Sequence, residues 1–353
     1  VMCGTCEYAK QTRTPTGTTR TQVRSEKEGA LLDGKLEPGH CASDQFEVVK
    51  RGRLFTSSGK EPEHERYIGG TVFVDLATRF MAAYFQESLD AAHTIRSKIK
   101  WERLCGQNGV VVQHYHTDNG IYTSQAFQGE IEKAGQSFSL SGVGAHHQNG
   151  VAERSIRTLT TRGRVIMLHA MLRWPDVTTN ELWPMAVQHG NYLTNYTPVE
   201  ANGLAPVELF TRSVNKSDEL KNLPVWGCPT YVLEPTLQDG RRLPKWQPRS
   251  RRGQYMGKSS LHASTVHLIR NLKTGRITPQ FHVVFDNWFE TVHADDDAPP
   301  PEWEVLATNS RYQAFIDDDD WDKIELDDDW LEKDELLAKR ARITRERERR
   351  REQ

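Results

Sequence analysis

The alternation of apolar and polar positions predicts a mixed α/β domain over the first part of the chain. Runs rich in β-branched and aromatic residues predict strands at 46–49, 67–76, 80–86, 110–116 and 137–140. Apolar residues at helical spacing predict helices at 90–104, 124–134, 151–172 and 181–195. Three strands precede the first helix and helices alternate with strands after it, so the order predicts an antiparallel meander that continues as an α/β unit.

After Pro224 the helical spacing gives way to short strand-like runs separated by glycine and asparagine. These runs, at 231–233, 253–255, 265–269 and 282–285, predict a small β-barrel that ends near Val292. Two further segments lack the apolar content of a core: a polar linker at 7–39 and a segment at 294–335 with runs of aspartate. Their composition predicts little regular structure, and we expect the acidic segment to be largely disordered.

Charge is distributed unevenly, although the formal net charge is only −2. Residues 1–289 hold 35 Lys and Arg against 27 Asp and Glu, a net charge of +8. Residues 290–335 hold 3 basic and 18 acidic residues, and residues 336–353 hold 8 basic and 3 acidic ones. A basic body favours a polyanionic partner, and the acidic segment fits either a solvated linker or a competitor for that body. The final Arg-rich run fits a nuclear-localisation patch or a solvated helix.

Composition also argues against two classes of protein. No apolar run approaches the ~18–20 residues that span a bilayer, and residues 1–30 lack the apolar stretch of a secretory signal, so we expect no membrane partner. Five cysteines in 353 residues are too few for a disulfide scaffold, which fits a reducing compartment. We expect Cys41, Cys105 and Cys228 to be small buried residues.

Three carboxylates occupy places where an α/β sheet presents polar groups to a ligand. Asp44 begins the first predicted strand, Asp118 follows a strand directly before a loop, and Glu153 lies in the first turn of a helix. Converging carboxylates repel one another unless a cation lies between them, and hard oxygen ligands suit Mg²⁺ or Mn²⁺. Two such ions ~3.5–4 Å apart can activate a nucleophile and stabilise the leaving oxygen of a phosphodiester. Taken singly, each acid also fits a structural role in a turn or at a helix start.

The segments around these acids resemble the three acidic blocks of retroelement integrases. The blocks are Ser43-Asp44-Gln45-Phe46, Thr117-Asp118-Asn119-Gly120, and the run QNGVAERSIRTL at 148–159. The wording of the third block is similar to the copia type of LTR retrotransposon, and the 34 residues between Asp118 and Glu153 are close to the family spacing. The resemblance implies an RNase H-like core, a mixed sheet with flanking helices, in which Asp44, Asp118 and Glu153 are the catalytic metal ligands.

The resemblance extends more weakly into the predicted barrel. Trp226-Gly227-Cys228 and the run FHVVF at 281–285 are similar to an SH3-like barrel that follows the core in copia-type polyproteins. It implies four regions, in chain order: a truncated zinc-knuckle remnant and linker at 1–35, an integrase catalytic core at 36–210, an SH3-like β-barrel at 224–292, and an acidic then basic, largely disordered tail at 293–353.

Polar and basic residues near the acids are predicted to contact DNA. Positions 153, 157, 160 and 164 share one helix face, so Arg157 and Arg164 are placed to hold phosphates beside Glu153. A salt bridge from Glu153 to Arg157 is the alternative. Gln148 and Asn149, just before the helix, are candidates for contacting the DNA end. In the barrel, a basic cluster around Trp246 predicts either backbone binding or a basic surface hairpin; it comprises Arg241, Arg242, Lys245, Arg249, Arg251 and Arg252.

A possible zinc site lies at the start of the sequence. Cys3 and Cys6 form a C-x2-C knuckle, which is half of a four-ligand site. Related integrases place a His pair upstream of such a knuckle, so we expect Zn²⁺ binding only with that missing half, and we interpret the chain as a polyprotein fragment or a truncated copy. The adjacent His146 and His147 would point apart and are not expected to bind metal.

Two other acids need separate interpretation. Asp75, in a strand, has the chemistry to compete with Asp44, but the resemblance favours Asp44 and we interpret Asp75 as structural. Glu47, three residues past Asp44, is expected on the opposite face of the strand.

The resemblance implies a DDE-type polynucleotidyl transferase that works as a homo-multimer. Metal-dependent 3′-end processing of element DNA would be followed by strand transfer into target DNA, in the nucleus after a cytoplasmic particle stage. Two alternatives remain open at this point: a nuclease of the RNase H type that cuts without joining, and a non-catalytic DNA-binding remnant of a decayed polyprotein.

Overall fold

The computed structural model describes residues 37–55, 58–142, 149–198, 203–213, 218–238, 241–242, 248–259 and 261–292. Several predictions fall outside these residues, namely those on Cys3, Cys6, the linker before residue 37, His146, His147, Gln148, Lys245, Trp246 and the tail from 293.

The first sheet has five strands of mixed direction. They are β1 His40–Gly52, β2 Tyr67–Asp75, β3 Met81–Gln86, β4 His114–Thr117 and β5 Ser137–Leu140. The spatial order is β3-β2-β1-β4-β5, with β1, β2 and β3 antiparallel and with β4 and β5 parallel to β1. The meander is the one that the sequence pattern predicts, and with the parallel strands it forms the RNase H-like arrangement that the resemblance implies.

Helices cover both faces of this core sheet. They are α1 Ala91–Gln107, α2 Gln125–Lys133, α3 Gly150–Arg173, α4 Trp183–Tyr196, and the shorter α5 Pro206–Thr211 and α6 Asp218–Lys221. Short 3₁₀ turns lie at Glu63–Glu65, Ile121–Thr123 and Asn180–Leu182. Two of the helices begin where side chains cap them: the carboxylate of Asp90 accepts from His93 N and the hydroxyl of Ser124 accepts from Phe127 N.

Two apolar clusters sandwich the core sheet. On one side Phe73 and Tyr115 pack with Trp101 of α1 and Phe127 of α2. On the other side Phe46 and Val72 pack with residues of α3 and α4, among them Ile156, Leu159 and Trp183. Side chains alternate along a strand, so Asp44 shares the α3 side with Phe46.

After the core, a second sheet forms from five antiparallel strands. They are β6 Pro229–Leu233, β7 Ser250–Lys258, β8 His267–Asn271, β9 Ile277–Gln280 and β10 Val283–Phe285, in the order β10-β6-β7-β8-β9, with the short helix α7 Pro235–Gln238 after β6. The sequence prediction missed β9, because its four residues include Pro279 and show no clear alternation. Pro279 is tolerated there since β9 lies at an edge of the sheet.

The second sheet packs on the C-terminal half of α3. Trp226 and Met256 share an apolar cluster with Met167 and Met171 of that helix. Gly227 has φ +80°, and a Cβ there would lie 2.5 Å from Cβ of Ala170, so the close approach requires glycine. The 24-residue helix α3, about 36 Å long, therefore carries Glu153 in its first turn and supports the second sheet with its far half.

In the core sheet, two predicted strands have clearly different bounds in the structure. The first runs over His40–Gly52 rather than 46–49, and the fourth covers His114–Thr117 rather than 110–116. Val110 and Val112 are buried without joining the sheet, so apolar content alone overstated that strand. Among the described residues, no helix is long and apolar enough to cross a membrane.

Candidate active site

Strand register brings Asp44 and Asp118 side by side. The parallel ladder between β1 and β4 ends at the pair Ser43 and Thr117. Asp44 is the next residue of β1, and Asp118 is the first residue after β4. Asp44 does not begin its strand, as the sequence predicted, but lies in the middle of β1. Asp44 nevertheless lies at the point where the pairing of β1 with β4 ends, because β4 stops at Thr117 while β1 continues along β2.

Asp44 is a buried carboxylate with incomplete hydrogen bonding. Its side chain belongs to a residue only 2% exposed. Oδ1 accepts from the backbone N–H of Gln45 at 2.7 Å, whereas Oδ2 is buried without a hydrogen-bond partner among the described residues. Burial first, and then the negative charges of Asp118 and Glu153, raise the pKa of Asp44 well above its usual value. The charge of Asp44 is thus costly in the absence of a counter-charge.

Asp118 lies half-buried in the turn that follows β4. Its Oδ1 accepts from the backbone N–H of Gly120 at 3.2 Å, which is the Asx-turn considered as its structural role. The neighbouring Asn119 donates from Nδ2 to the carbonyl of Ser141 at 2.7 Å and ties this turn to the end of β5. A turn role and a ligand role are compatible, since a carboxylate has several lone pairs.

Glu153 is positioned by a tether at the start of α3. Asn149 is 1% exposed, and its Nδ2 donates to the carbonyl of Ser43 at 3.1 Å. This bond joins the residue before α3 to the residue before Asp44, so Glu153 is held one helical turn from the end of the parallel ladder. The Oδ1 atom of Asn149 is buried without a partner among the described residues. Asn149 is therefore a buried tether in this structure, and its contact with a DNA end stays a prediction.

Behind Asp44, on the opposite side of β1, lies a polar pair that the sequence reasoning missed. The hydroxyls of Ser43 and Tyr122 are 2.9 Å apart, and Tyr122 is 1% exposed. Burial, followed by the charge of Asp44, raises the pKa of Tyr122 well above its usual value. Ser43 stands in the first acidic block, but the sequence offers no signal that pairs it with a residue 79 positions away.

Asp75 is structural, as interpreted from the sequence. It is fully buried and accepts from the backbone N–H groups of Gly39 and Thr78, each at 2.8 Å, and from the Thr78 hydroxyl at 2.7 Å. Glu47 is exposed while Asp44 is buried, which agrees with the opposite faces expected from the strand period.

The predicted DNA contacts are distributed over two regions. On α3, Arg157 is exposed and Arg164 is half-buried. In the second region Arg252 is exposed and Arg251 is half-buried on strand β7, and Arg241, Arg242 and Arg249, which lie between β6 and β7, are exposed. Because Arg251 and Arg252 are consecutive residues of β7, they point to opposite sides of that sheet, and the basic cluster does not form a single face.

Cys41, Cys105 and Cys228 are buried, as predicted, and form no disulfide among the described residues. Among the described residues, no group of three or more His, Cys, Asp or Glu side chains is close enough to hold a metal ion. The donor chemistry at Asp44, Asp118 and Glu153 still fits a hard divalent cation, because all three are carboxylates and one buried oxygen lacks a partner.

The chain is 29% identical over 240 residues to the retrovirus-related Pol polyprotein from transposon TNT 1-94 of Nicotiana tabacum. The match covers 67% of this chain and 16% of that polyprotein, so the chain spans about a sixth of the curated relative. No protein-family model matches the chain.

Two solved structures are similar to the chain at low sequence identity. The HTLV-2 integrase catalytic core domain in complex with magnesium is 17% identical, with a TM-score of 0.36, over 50% of this chain and 99% of that one. The simian T-cell lymphotropic virus intasome in complex with PP2A regulatory subunit B56 gamma is 16% identical, with a TM-score of 0.38, over 71% of this chain and 79% of that one. With both scores below 0.5, the fold assignment rests on the strand order and pairing described above.

Proposed function

We propose that this chain, which resembles the integrase region of retroelement polyproteins, is a copia-type DNA integrase that cuts and joins phosphodiesters. The observation that carries the proposal is the buried carboxylate of Asp44, whose Oδ2 has no described partner and whose pKa is raised by burial and by Asp118 and Glu153. Burying one carboxylate beside two further acids is costly unless a cation completes the site.

Asp44, Asp118 and Glu153 would hold Mg²⁺ or Mn²⁺. When bound, such an ion lowers the pKa of an attacking water or hydroxyl and stabilises charge on the phosphodiester. The chain supplies the placement. Strand β1 fixes Asp44, the end of β4 fixes Asp118, and the Asn149 bond to Ser43 sets the start of the helix that carries Glu153.

The proposed reaction has two displacements at phosphorus. In the first, water releases the last nucleotides of element DNA and leaves a 3′-hydroxyl; in the second, that hydroxyl displaces a 3′-oxygen of target DNA. No covalent enzyme intermediate is required, so no Ser or Tyr nucleophile is assigned. Arg157 and Arg164, on the helix of Glu153, and the exposed arginines of the second sheet are proposed to bind DNA phosphates.

The remaining features of the proposal follow from the resemblance. We infer that the protein self-associates on paired DNA ends and acts in the nucleus, and that residues 224–292 belong to an SH3-like barrel. Self-association is checked by the sedimentation of the protein with and without a duplex that carries the element ends.

The decisive experiment is a joining assay with a labelled duplex that ends in the terminal sequence of the element. Glu153→Gln should abolish strand transfer while sparing DNA binding. Glu132→Gln, on the exposed side of α2, is the matched control and should leave joining unchanged. Full joining activity in Glu153→Gln would refute the assignment.

The same assay separates the two alternative functions. Metal-dependent cleavage without joined products would indicate a nuclease of the RNase H type. DNA binding without either product would indicate a non-catalytic remnant.

A further inference from the structure

One face of the second sheet combines exposed apolar and basic side chains. Across the strands, Arg252 of β7 pairs with Tyr231 of β6, and Tyr231 pairs with Val284 of β10. Directly paired residues point to the same side of a sheet, so these three side chains form one row. Arg252 is exposed, and its guanidinium lies 5.7 Å from the ring centroid of Trp174. We call this row, with His282 two residues before Val284, the edge face, because β10 is an outermost strand.

Exposed apolar residues are concentrated at this edge. Eight large hydrophobic residues of the described chain are exposed, and Phe281, Val284 and Trp288 are three of them, within eight consecutive positions. Val284 is 68% and Trp288 is 78% exposed. Apolar residues scattered singly need no explanation, but a cluster beside an edge strand is typical of an interaction site.

The same region is strongly basic. Residues 224–292 hold ten Lys and Arg against four Asp and Glu, a net charge of +6. Arg249 lies beside the end of β6, since its carbonyl accepts from the backbone N–H of Glu234 at 2.9 Å. Arg249 and Arg252 are both exposed. A partner for this edge should therefore combine negative charge with aromatic side chains.

The chain itself contains a segment of that chemistry, directly after the second sheet. Residues 293–335 hold 17 acidic and 3 basic residues. Within them the sequence Asp-Asp-Asp-Trp occurs twice, at 318–321 and 327–330. Each run of carboxylates thus ends directly in a tryptophan, which complements arginines interleaved with exposed apolar side chains.

The connection is long enough for the segment to return to the edge face. Trp288 lies four residues before Val292, the last described residue, and 25 residues separate Val292 from Asp318. A chain of 25 residues reaches at most about 80–90 Å when fully extended, which is more than the diameter of a small domain. Attachment at this point raises the local concentration of the segment at the edge face into the millimolar range, as an order of magnitude.

We propose that the acidic segment around the two Asp-Asp-Asp-Trp runs binds the edge face and competes there with DNA. Its carboxylates pair with the arginines and its tryptophans cover Val284 and Trp288. The competition rests on the proposed function, since it requires that the second sheet binds DNA, whereas the binding of the segment does not.

The binding of the segment is tested without DNA. A fluorescein-labelled peptide of residues 313–335 is titrated with the full chain in which Asp317–Asp320 and Asp327–Asp329 are changed to Asn, and fluorescence anisotropy is measured. Trp288→Ala in that background should weaken peptide binding about tenfold, the loss expected for a central aromatic contact. Val111→Ala, an exposed apolar position on the core, should have no effect.

Arg252→Gln tests the same face in the same peptide titration. Thermal unfolding of this variant shows whether loss of the contact between Arg252 and Trp174 disturbs the fold. Absence of peptide binding, or equal binding by the Trp288→Ala variant and its parent, would overturn the proposal.

Competition is tested in the full chain by changing the charge but not the length of the acidic runs. Changing the seven aspartates at 317–320 and 327–329 to Asn should tighten duplex binding about tenfold at ~50 mM salt, with a smaller gain at ~300 mM. Changing the same seven to Glu keeps the charge and should leave DNA affinity at the wild-type level. Peptide binding with unchanged DNA affinity in the Asn form would overturn the competition. No DNA binding by any form, with peptide binding intact, would instead overturn the proposed function.

Discussion

Asp44 and Asp75 are both buried in the central strand pair of the core sheet, yet their surroundings are opposite. Asp75 stands at one end of β2, where three donors from Gly39 and Thr78 occupy its two oxygens. Asp44 lies on the neighbouring strand β1, three residues past Cys41, which pairs with Asp75. One oxygen of Asp44 accepts from a backbone N–H, and the other has no hydrogen-bond partner among the described residues. Two further acids raise the pKa of Asp44.

The difference separates a structural carboxylate from the one that we propose to bind a cation. Three hydrogen bonds offset the cost of burying the carboxyl group of Asp75. At Asp44 that cost remains, and neighbouring charges increase it. Residue type and burial are the same in the two cases, so only the count of donors and the sign of nearby charges distinguish them.

The largest expected effect is on activity. Asp44→Asn should lower the rate of strand transfer by about a thousandfold or more, which corresponds to about 4 kcal/mol of transition-state stabilisation. Asp75→Asn should lower activity only in proportion to the protein that unfolds. Initial rates in Mg²⁺, normalised to the folded fraction, measure both. Activity of Asp44→Asn within tenfold of the wild type would remove Asp44 from the site.

Stability should reverse the ranking of the two aspartates. Asp75→Asn puts an amide group where three donors converge, so the free energy of unfolding should fall by about 2–4 kcal/mol. Asp44→Asn removes a buried, repelled charge and should leave the free energy of unfolding unchanged or raise it. Urea denaturation at neutral pH measures the difference, and Thr78→Val, which removes one donor to Asp75, should cost about 1 kcal/mol. A larger loss in Asp44→Asn than in Asp75→Asn would contradict the comparison.

Divalent cations should stabilise only the protein with an intact acidic site. At a hundredfold excess over its dissociation constant, a cation that binds the folded state alone adds about 2.7 kcal/mol. The midpoint of thermal unfolding should therefore rise with Mg²⁺ in the wild type and in Glu132→Gln, but not in Asp44→Asn. An equal rise in all three would place the cation elsewhere.

The smallest effect concerns pH in the absence of metal. The pKa of Asp44 is raised in the folded state, so the folded protein binds the proton more tightly than the unfolded chain does. Ionisation of Asp44 therefore lowers the free energy of unfolding. This loss is absent below the ordinary aspartate pKa, grows as the pH rises above it, and is complete above the raised pKa of the folded state. The free energy of unfolding of Asp44→Asn should therefore exceed that of the wild type by an amount that grows as the pH rises. Urea denaturation across a range of pH measures this difference. Mg²⁺ should diminish it, and a difference independent of pH would count against a raised pKa.

Much of the core could be predicted from local pattern. The apolar runs of β2 and β3 and the helical spacing at 90–104 and 124–134 give elements that match the structure to within a few residues. The strand prediction failed at residues 110–113. These residues are rich in valine and partly buried, but they lie outside the sheet. They also missed β9, a short edge strand with little alternation.

For the candidate site, the resemblance predicted the three acids, and local pattern predicted a strand end before Asp118 and a helix start at Glu153. Such signals extend over only a few residues. Only the folded chain shows that Asp44 is buried beside the end of β4, that Asn149 joins Ser43 across 106 residues, and that Asp75 has three donors. These facts depend on strand register and on donors contributed by distant segments. No local pattern encodes them, since the energy of a buried charge is set by whatever the fold brings within a few ångströms of it.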